Sequence, residues 1–178
     1  MIILVDMDGV IADFETGLLN RFKETHPDKQ YVPLEKRTNF YVDEDYPEEM
    51  RNLLREIYRG KGFYFSLPPV PGSLEVLTEL QSQEEVFICT SPLSIYEHCV
   101  PEKYQWVDHY LGKSWVRRLI LTKDKTVVRG DILIDDRPEV TGITSPSWEH
   151  VLYSQPYNQQ VSSKRRLTWQ DWREVLKC

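Results

Sequence analysis

The chain has 178 residues, 40% of them hydrophobic, and its formal net charge is −6 at pH 7. This length and composition allow one hydrophobic core with a small appendage. The acidic balance argues against a general surface for binding nucleic-acid polymers, which is usually basic. We interpret the one basic cluster, Lys164-Arg165-Arg166, as solvated surface charge.

The three cysteines, Cys89, Cys99 and Cys178, are odd in number and their spacing matches no zinc motif. Because Cys89 lies in an apolar run, we expect a small buried side chain and a reducing compartment. No apolar run is long enough to span a membrane, and the first one is too short for a signal peptide. We therefore expect a cytoplasmic protein without membrane contact; a removed mitochondrial presequence stays open.

The stretch from Ile2 to Val10 begins with β-branched apolar residues and ends in Asp6, Asp8 and a glycine. It predicts a strand that is buried on both faces, as in a parallel sheet. Residues two apart on a strand point to the same side, so the carboxylates of Asp6 and Asp8 share a side. Such a pair is costly unless a cation or a shared proton relieves the repulsion.

The next part of the chain has helical rather than strand character. Residues 13 to 25 carry apolar side chains at helical spacing, and residues 27 to 46 are polar, aromatic and irregular. A second amphipathic helix is predicted to begin at Pro47 and to end at Gly60. We expect a helical segment over residues 18 to 67 that lies above the sheet edge as a cap.

Strands and helices alternate from Ser73 onward. Ser73 is predicted to cap a helix, and a stripe that includes Tyr104 and Val107 predicts another. Further apolar runs predict strands at residues 86–89, 119–121, 132–134 and 151–153, before a C-terminal amphipathic helix. This alternation predicts an α/β fold built on a parallel sheet.

Polar clusters directly follow four of the predicted strands. They are, in chain order, Asp6 with Asp8, Thr90 with Ser91, Lys125, and Asp135 with Asp136. Ligands of parallel sheets bind beyond the carboxyl ends of the strands, so these clusters should gather at one edge. The carboxylates form a hard-oxygen site suited to Mg²⁺. Thr90 and Ser91, near a helix start, and the positive Lys125 together predict a phosphate site.

Each cluster has an ordinary structural explanation when it is taken alone. The first pair of aspartates can be a polar strand end, and Thr90-Ser91 can cap a helix. Lys125 can be a surface charge, and Asp135-Asp136 can form a polar turn. The conjunction of all four in order after consecutive strands favours a catalytic site in which a carboxylate acts as nucleophile.

The motifs DMDGV, ICTSP, TKDKT and LIDDRP resemble the four signature motifs of the haloacid dehalogenase (HAD) superfamily of phosphohydrolases. The longer stretches LVDMDGVIADF, FICTSP, LTKDKTVV, LIDDRP and PSWEHVL resemble the 5′(3′)-deoxyribonucleotidases of cytosolic or mitochondrial type. The resemblance implies a HAD-like Rossmannoid core of residues 1–17 and 68–178. It implies that residues 18–67 form a small helical cap inserted after the first strand.

The resemblance also implies catalytic roles. Asp6 would be the nucleophile that forms an aspartyl-phosphate, and Asp8 would act as acid and then as base. Mg²⁺ would be held by the side chains of Asp6 and Asp136 and by the backbone carbonyl of Asp8. Strand geometry alone does not decide whether Asp135 or Asp136 binds the metal. The family pattern favours Asp136 as the ligand and leaves Asp135 as a partner of the ligands.

The substrate contacts implied by the resemblance come from both the core and the cap. Thr90, Ser91 and Lys125 would hold the phosphate. The base and sugar would meet four aromatic residues, namely Phe14, Phe40, Tyr41 and Tyr58. An apolar wall beside C2′ would leave a ribose hydroxyl unpaired and so favour deoxyribose. For Tyr41 and Tyr58, ordinary packing within the cap is the alternative explanation. We interpret Trp148 as a structural residue.

The predicted function is Mg²⁺-dependent hydrolysis of 5′- and 3′-deoxyribonucleoside monophosphates such as dUMP and dTMP. One alternative is a HAD phosphatase for another small phosphomonoester. The other is a non-catalytic phosphate-binding module, against which the filled catalytic positions argue. The resemblance further implies a homodimer, for which the sequence shows no diagnostic interface stripe.

Overall fold

The structure, a computed structural model, describes residues 1–94 and 96–177. Six strands form one sheet: Ile2–Val5 (β1), Glu85–Thr90 (β2), Leu119–Leu121 (β3), Ile132–Asp135 (β4), Glu149–Tyr153 (β5) and Arg166–Leu167 (β6). The order across the sheet is β3-β2-β1-β4-β5-β6, and every pair of neighbours is parallel. The α/β class with a parallel sheet is therefore confirmed.

Six α-helices and four 3₁₀ turns connect the strands in the described chain. The α-helices are Phe14–Thr25 (α1), Glu48–Arg59 (α2), Ser73–Gln81 (α3), Cys99–Tyr110 (α4), Lys113–Val116 (α5) and Trp172–Leu176 (α6). The 3₁₀ turns are Leu34–Lys36, Val42–Asp45, Lys125–Val127 and Pro156–Asn158. None of the described helices is long and apolar enough to span a bilayer.

Strand β1 lies at the centre of the sheet, with β2 on one side and β4 on the other. Its residue Val5 is in register with Ile88 and Ile134. Alternate side chains of the sheet enter two apolar clusters, because successive strand residues face opposite sides. The register brings the chain that follows β1 next to the ends of β2 and β4.

The predicted burial of Cys89 is confirmed, and Cys99 is buried as well. Cys89 packs with Leu4 and Trp148 in the smaller apolar cluster, and Cys99 is buried in the larger one. Both are free thiols. Cys178 lies outside the described residues.

Several local predictions are confirmed and others are wrong. The helix predicted over residues 13 to 25 is confirmed as α1, and the structure adds that Asp13 caps it, since its Oδ1 accepts a hydrogen bond from the backbone N of Thr16 at 3.0 Å. Ser73 is not a helix cap: it is the first helical residue, and its buried hydroxyl donates to the carbonyl of Ile11 at 3.3 Å. Tyr104 is predicted to share an apolar stripe with Val107, but it is exposed and lies off the buried face of α4.

The basic cluster at the start of β6 is only partly solvated: Arg165 is exposed, as interpreted, whereas Lys164 and Arg166 are half-buried and make specific contacts. Arg166 donates to the side chain of Asn158 at 2.6 Å, and Arg165 forms a two-point pair with Glu149. Lys164 donates to the carbonyl of Pro138 at 2.6 Å. These long side chains tie β6 and its flanks to the rest of the sheet.

Residues 18–67 contain most of α1, all of α2, two 3₁₀ turns and no strand. Their division from a core of residues 1–17 and 68–178 stays a prediction. Glu102 of α4 connects this segment to the core. Its carboxylate accepts hydrogen bonds from the backbone N of Gly62 at 2.6 Å and of Tyr64 at 3.0 Å, and from the hydroxyl of Tyr96 at 3.1 Å.

We predict that Glu102→Ala destabilises the protein by about 2–4 kcal/mol, because buried N–H groups of the 62–65 turn lose their acceptor. Denaturant unfolding would measure the change. Glu97→Ala, which removes an exposed carboxylate from the preceding loop, is the matched control and should change stability by less than about 0.5 kcal/mol. Equal stability of the two variants would contradict the anchoring role of Glu102.

Candidate active site

Asp6 and Asp8 lie on a tight turn at the carboxyl end of β1. The backbone N of Asp6 donates to the carbonyl of Ile134 at 2.8 Å, which continues the pairing of the sheet. Met7 turns into the core, and its carbonyl accepts hydrogen bonds from the backbone N atoms of the three residues from Val10 to Ala12. The two carboxylates therefore emerge together at the sheet edge, as predicted.

Gly9 allows this turn to approach the end of β4. Its φ is +75°, and a Cβ at this position would lie 2.3 Å from Oδ2 of Asp136. Both the backbone conformation and the close approach require glycine. The side chain of Gln155 donates to the carbonyl of Gly9 at 2.6 Å and holds the turn from the β5 side.

Lys125 is buried between two carboxylates. Its Nζ lies 2.7 Å from Oδ1 of Asp6 and 2.6 Å from Oδ2 of Asp135. Both carboxylates raise the pKa of the Lys125 ammonium against the opposing effect of burial. The buried indole of Trp148 donates to the carbonyl of Lys125 at 3.2 Å, so Trp148 positions this residue.

The carboxylates of Asp6, Asp135 and Asp136 each place an oxygen within 4.8 Å of the others. Burial raises the pKa values of Asp6 and Asp136, and Asp135 adds to both shifts. Among the described residues, nothing donates to the buried Oδ1 of Asp136. Asp6 and Asp136 each have a buried oxygen that accepts no hydrogen bond from the described residues, and the three carboxylates together are hard ligands that fit a divalent cation.

The two aspartates at the end of β4 have different surroundings. Asp135 uses both oxygens, because Oδ2 accepts from Lys125 and Oδ1 accepts from the backbone N of Arg137 at 2.9 Å. Asp136 instead receives the hydroxyl of Tyr157 on Oδ2, while its carbonyl accepts from Asn158 at 2.7 Å. Asp136 therefore has the free oxygen, and Asp135 positions Lys125.

Tyr157 and Asn158 were not identified from the sequence. They belong to the 3₁₀ turn that follows β5, at the same edge of the sheet as the other clusters. The signal that could have identified them is their position after a predicted strand. Neither residue type is by itself diagnostic of a site.

Lys103 is a second site lysine that sequence reasoning missed. It is fully buried, and its Nζ donates to Oδ2 of Asp8 at 2.7 Å and to Oγ1 of Thr90 at 3.2 Å. Burial raises the pKa of Asp8, Lys103 opposes this shift, and Asp6 adds to it. The available signal was a lysine at helical spacing from Cys99 and Trp106 on the apolar face of α4.

Thr90 and Ser91 lie at the end of β2, but not at a helix start. Thr90 is buried, Ser91 is exposed, and α4 begins only at Cys99. The predicted helix start is therefore wrong. Pro92 accounts for the difference, because a residue before proline is disfavoured from helical conformation.

A cleft of about 340 Å³ opens above these groups, within the range of small-molecule sites. The structure brings the predicted aromatic residues to its wall: Phe14, Phe40, Tyr41 and Tyr58 all line it, together with Asp6, Asp8, Thr90, Ser91, Lys125, Asp135 and Asp136. Arg137 bridges core and wall by donating to the hydroxyl of Tyr41 at 3.1 Å. The roles of these aromatics in substrate binding stay predictions.

Comparison with known proteins matches the whole chain to one family. The family model described as "5' nucleotidase, deoxy (Pyrimidine), cytosolic type C protein" covers residues 1–178. The human cytosolic 5′(3′)-deoxyribonucleotidase is 46% identical over 98% of this chain and 92% of its own length. The human mitochondrial 5′(3′)-deoxyribonucleotidase is 44% identical over 98% of this chain and 81% of its own.

Solved structures support the fold. The HAD hydrolase YfnB of Bacillus subtilis, solved bound to magnesium, aligns with a TM-score of 0.61 at 14% identity and covers 99% of this chain and 98% of its own. At such low identity this likeness concerns the fold alone. Together with the family match, it shows that the chain belongs to the deoxyribonucleotidase family of cytosolic type C and is a phosphomonoester hydrolase with a HAD-like fold.

Proposed function

We propose that this protein hydrolyses 5′- and 3′-deoxyribonucleoside monophosphates, such as dUMP and dTMP, to nucleoside and phosphate. The observation that carries the proposal is a pair of carboxylates, Asp6 and Asp8, each contacted by its own buried lysine beneath an aromatic cleft. Family membership supports a deoxynucleotide substrate. Residues 18–67 would form the cap above the core; the homodimer and the cytoplasmic location stay predictions.

In the proposed mechanism, an oxygen of Asp6 attacks phosphorus while the bond to the leaving 5′ or 3′ oxygen breaks. Asp8 gives its proton to that leaving oxygen, and Asp6 becomes an aspartyl-phosphate. The raised pKa of Asp8 favours the protonated form that this step requires. Water then attacks phosphorus and returns a proton to Asp8, which releases phosphate and restores Asp6.

The residues at the sheet edge fit Mg²⁺ as the cofactor. The side chains of Asp6 and Asp136 and the backbone carbonyl of Asp8 would hold it. When bound, Mg²⁺ would neutralise negative charge on the phosphate and the carboxylates. Asp135 would act through Lys125, since both of its oxygens are already engaged.

The phosphate would be bound by Thr90, Ser91 and Lys125. The ammonium of Lys125 reduces the repulsion between the dianionic phosphate and Asp6. Lys103 would hold Asp8 and Thr90 in place on the other side of the site. The base and sugar would lie against the aromatic wall, where stacking suits a nucleobase.

We predict that Asp6→Asn lowers kcat for dUMP at least about 10³-fold, because the amide cannot form the covalent intermediate. Phosphate release under saturating dUMP and Mg²⁺ would measure this. Asp28→Asn, at an exposed carboxylate, should retain full activity. Substantial turnover by Asp6→Asn would contradict the proposed nucleophile.

We predict that chelation abolishes phosphate release and that added Mg²⁺ restores it. Asp136→Asn should raise the half-activating Mg²⁺ concentration about 10-fold or more, because a ligand is lost. Asp135→Asn should mainly lower kcat, since its carboxylate holds Lys125. A larger Mg²⁺ shift in Asp135→Asn than in Asp136→Asn would reverse the two assignments.

We predict that Lys103→Met moves the basic limb of the kcat profile to higher pH. The Lys103 ammonium favours ionised Asp8, so its removal raises the pKa of Asp8 further, and the acid stays protonated to higher pH. The pH dependence of kcat would measure the shift, with the exposed Lys113→Met as control. An unmoved limb, or one moved to lower pH, would count against Asp8 as the general acid.

A further inference from the structure

We propose that Asp43 determines base selection by accepting a hydrogen bond from the N3–H group of thymine or uracil in the substrate. This inference rests on the proposed function, because it assigns one wall of the same cleft to the base. Neither the catalytic chemistry nor phosphate binding involves Asp43. The residue lies in the 3₁₀ turn Val42–Asp45, directly after the aromatic pair Phe40 and Tyr41.

Asp43 is a nearly buried carboxylate on the wall of the cleft. It is 9% exposed and lines the cleft with Phe14 and Tyr58. Burial raises the pKa of Tyr58, and the charge of Asp43 adds to this shift. The groups that would hold phosphate come from the sheet edge, whereas Asp43 comes from the segment above it.

Only one oxygen of Asp43 is engaged within the described chain. Arg55 of α2 donates from Nη2 to Oδ2. Within residues 1–94 and 96–177, no group donates to Oδ1. Arg55 thus balances the charge of the carboxylate and fixes its orientation, while a single acceptor oxygen remains for a ligand.

The turn that carries Asp43 is held rigidly by its neighbour Asp45. The carboxylate of Asp45 accepts from the side chain of Asn39 at 2.8 Å and from the hydroxyl of Thr38 at 2.7 Å. It also accepts from Nε of the buried Arg37 at 2.5 Å. These bonds close the loop over residues 37–45, so the acceptor of Asp43 is positioned before the ligand arrives.

A single free carboxylate oxygen matches a base edge with a single ring N–H. Thymine and uracil present N3–H, whereas guanine presents two adjacent donors that suit a carboxylate with both oxygens free. The cleft is walled by aromatic rings, so a bound base would shield this oxygen from water while its N–H group supplies the hydrogen bond in exchange. We therefore expect the site to bind thymine less well when a methyl group replaces the N3 proton.

The test compares dTMP with N3-methyl-dTMP, in which the proposed donor is replaced by a methyl group. In the wild type we expect kcat/KM to fall about 10- to 100-fold on methylation, as for loss of a hydrogen bond to a charged group. In Asp43→Ala the two substrates should differ less than about threefold. Asp43→Asn keeps the shape of the side chain and a neutral acceptor. Its ratio of kcat/KM for the two substrates should therefore lie between those of the wild type and Asp43→Ala.

Two controls separate this inference from the proposed function. 2-Deoxyribose 5-phosphate has no base, so its turnover should be the same in the wild type and Asp43→Ala; this also shows that the variant is folded. Glu44→Ala removes an exposed charge from the same 3₁₀ turn and should keep the full discrimination.

If the wild type turns over no deoxynucleotide, the proposed function fails. If dTMP is hydrolysed but methylation has the same effect in the wild type and Asp43→Ala, the role of Asp43 is overturned. A loss in Asp43→Ala that is equal for both substrates would likewise overturn it, since it would show a contact with the sugar or a structural role.

Discussion

The buried ammonium of Lys125 permits carboxylates to lie side by side at the end of the sheet. It lies between Asp6 and Asp135, within 2.7 Å of an oxygen of each. Oxygens of the two carboxylates lie within 4.8 Å of each other, so the two charges repel strongly in a site of low dielectric. Without a compensating charge, one of the carboxylates would take up a proton. Lys125 offsets part of the cost of burying Asp6.

The position of Lys125 in turn depends on its loop. Trp148 holds its carbonyl, and the neighbouring Asp124 accepts hydrogen bonds from the backbone N of Thr126 at 2.9 Å and of Ile143 at 2.8 Å. Gly142 completes this arrangement, because a Cβ there would lie 1.9 Å from Oδ1 of Asp124. The residues around the turn thus fix an ammonium whose own side chain is long and flexible.

A second lysine gives the two aspartates of the first turn different environments. Asp6 faces Lys125 from the segment before β4, and Asp8 faces Lys103 from α4. Asp8 is also the more exposed of the two side chains. Two identical residue types, separated by one position, are therefore suited to different tasks by the elements that surround them.

The sheet and the gathering of polar clusters at its edge could be predicted from sequence, since buried strands have a recognisable apolar pattern. Strand β6 could not, because it has only two residues, Arg166 and Leu167. Lys103 escaped notice because buried lysines are rare, and the aromatic Tyr104 suggested a different apolar face for α4. The free oxygen of Asp136 depends on hydrogen bonds from Tyr157 and Arg137 to the two aspartates, which strand periodicity does not encode.

The central place of β1 has a consequence for biosynthesis. Ile2 pairs with Glu85, and Ile3 pairs with Ile132, so the strand that leads to Asp6 is completed by partners far along the chain. A ribosome makes Asp6 long before its neighbours Lys125, Asp135 and Asp136 emerge. Until then an apolar strand lacks its partners, as is typical of parallel sheets with high contact order. The nascent chain must therefore keep β1 from aggregating well before the side chains around Asp6 can come together.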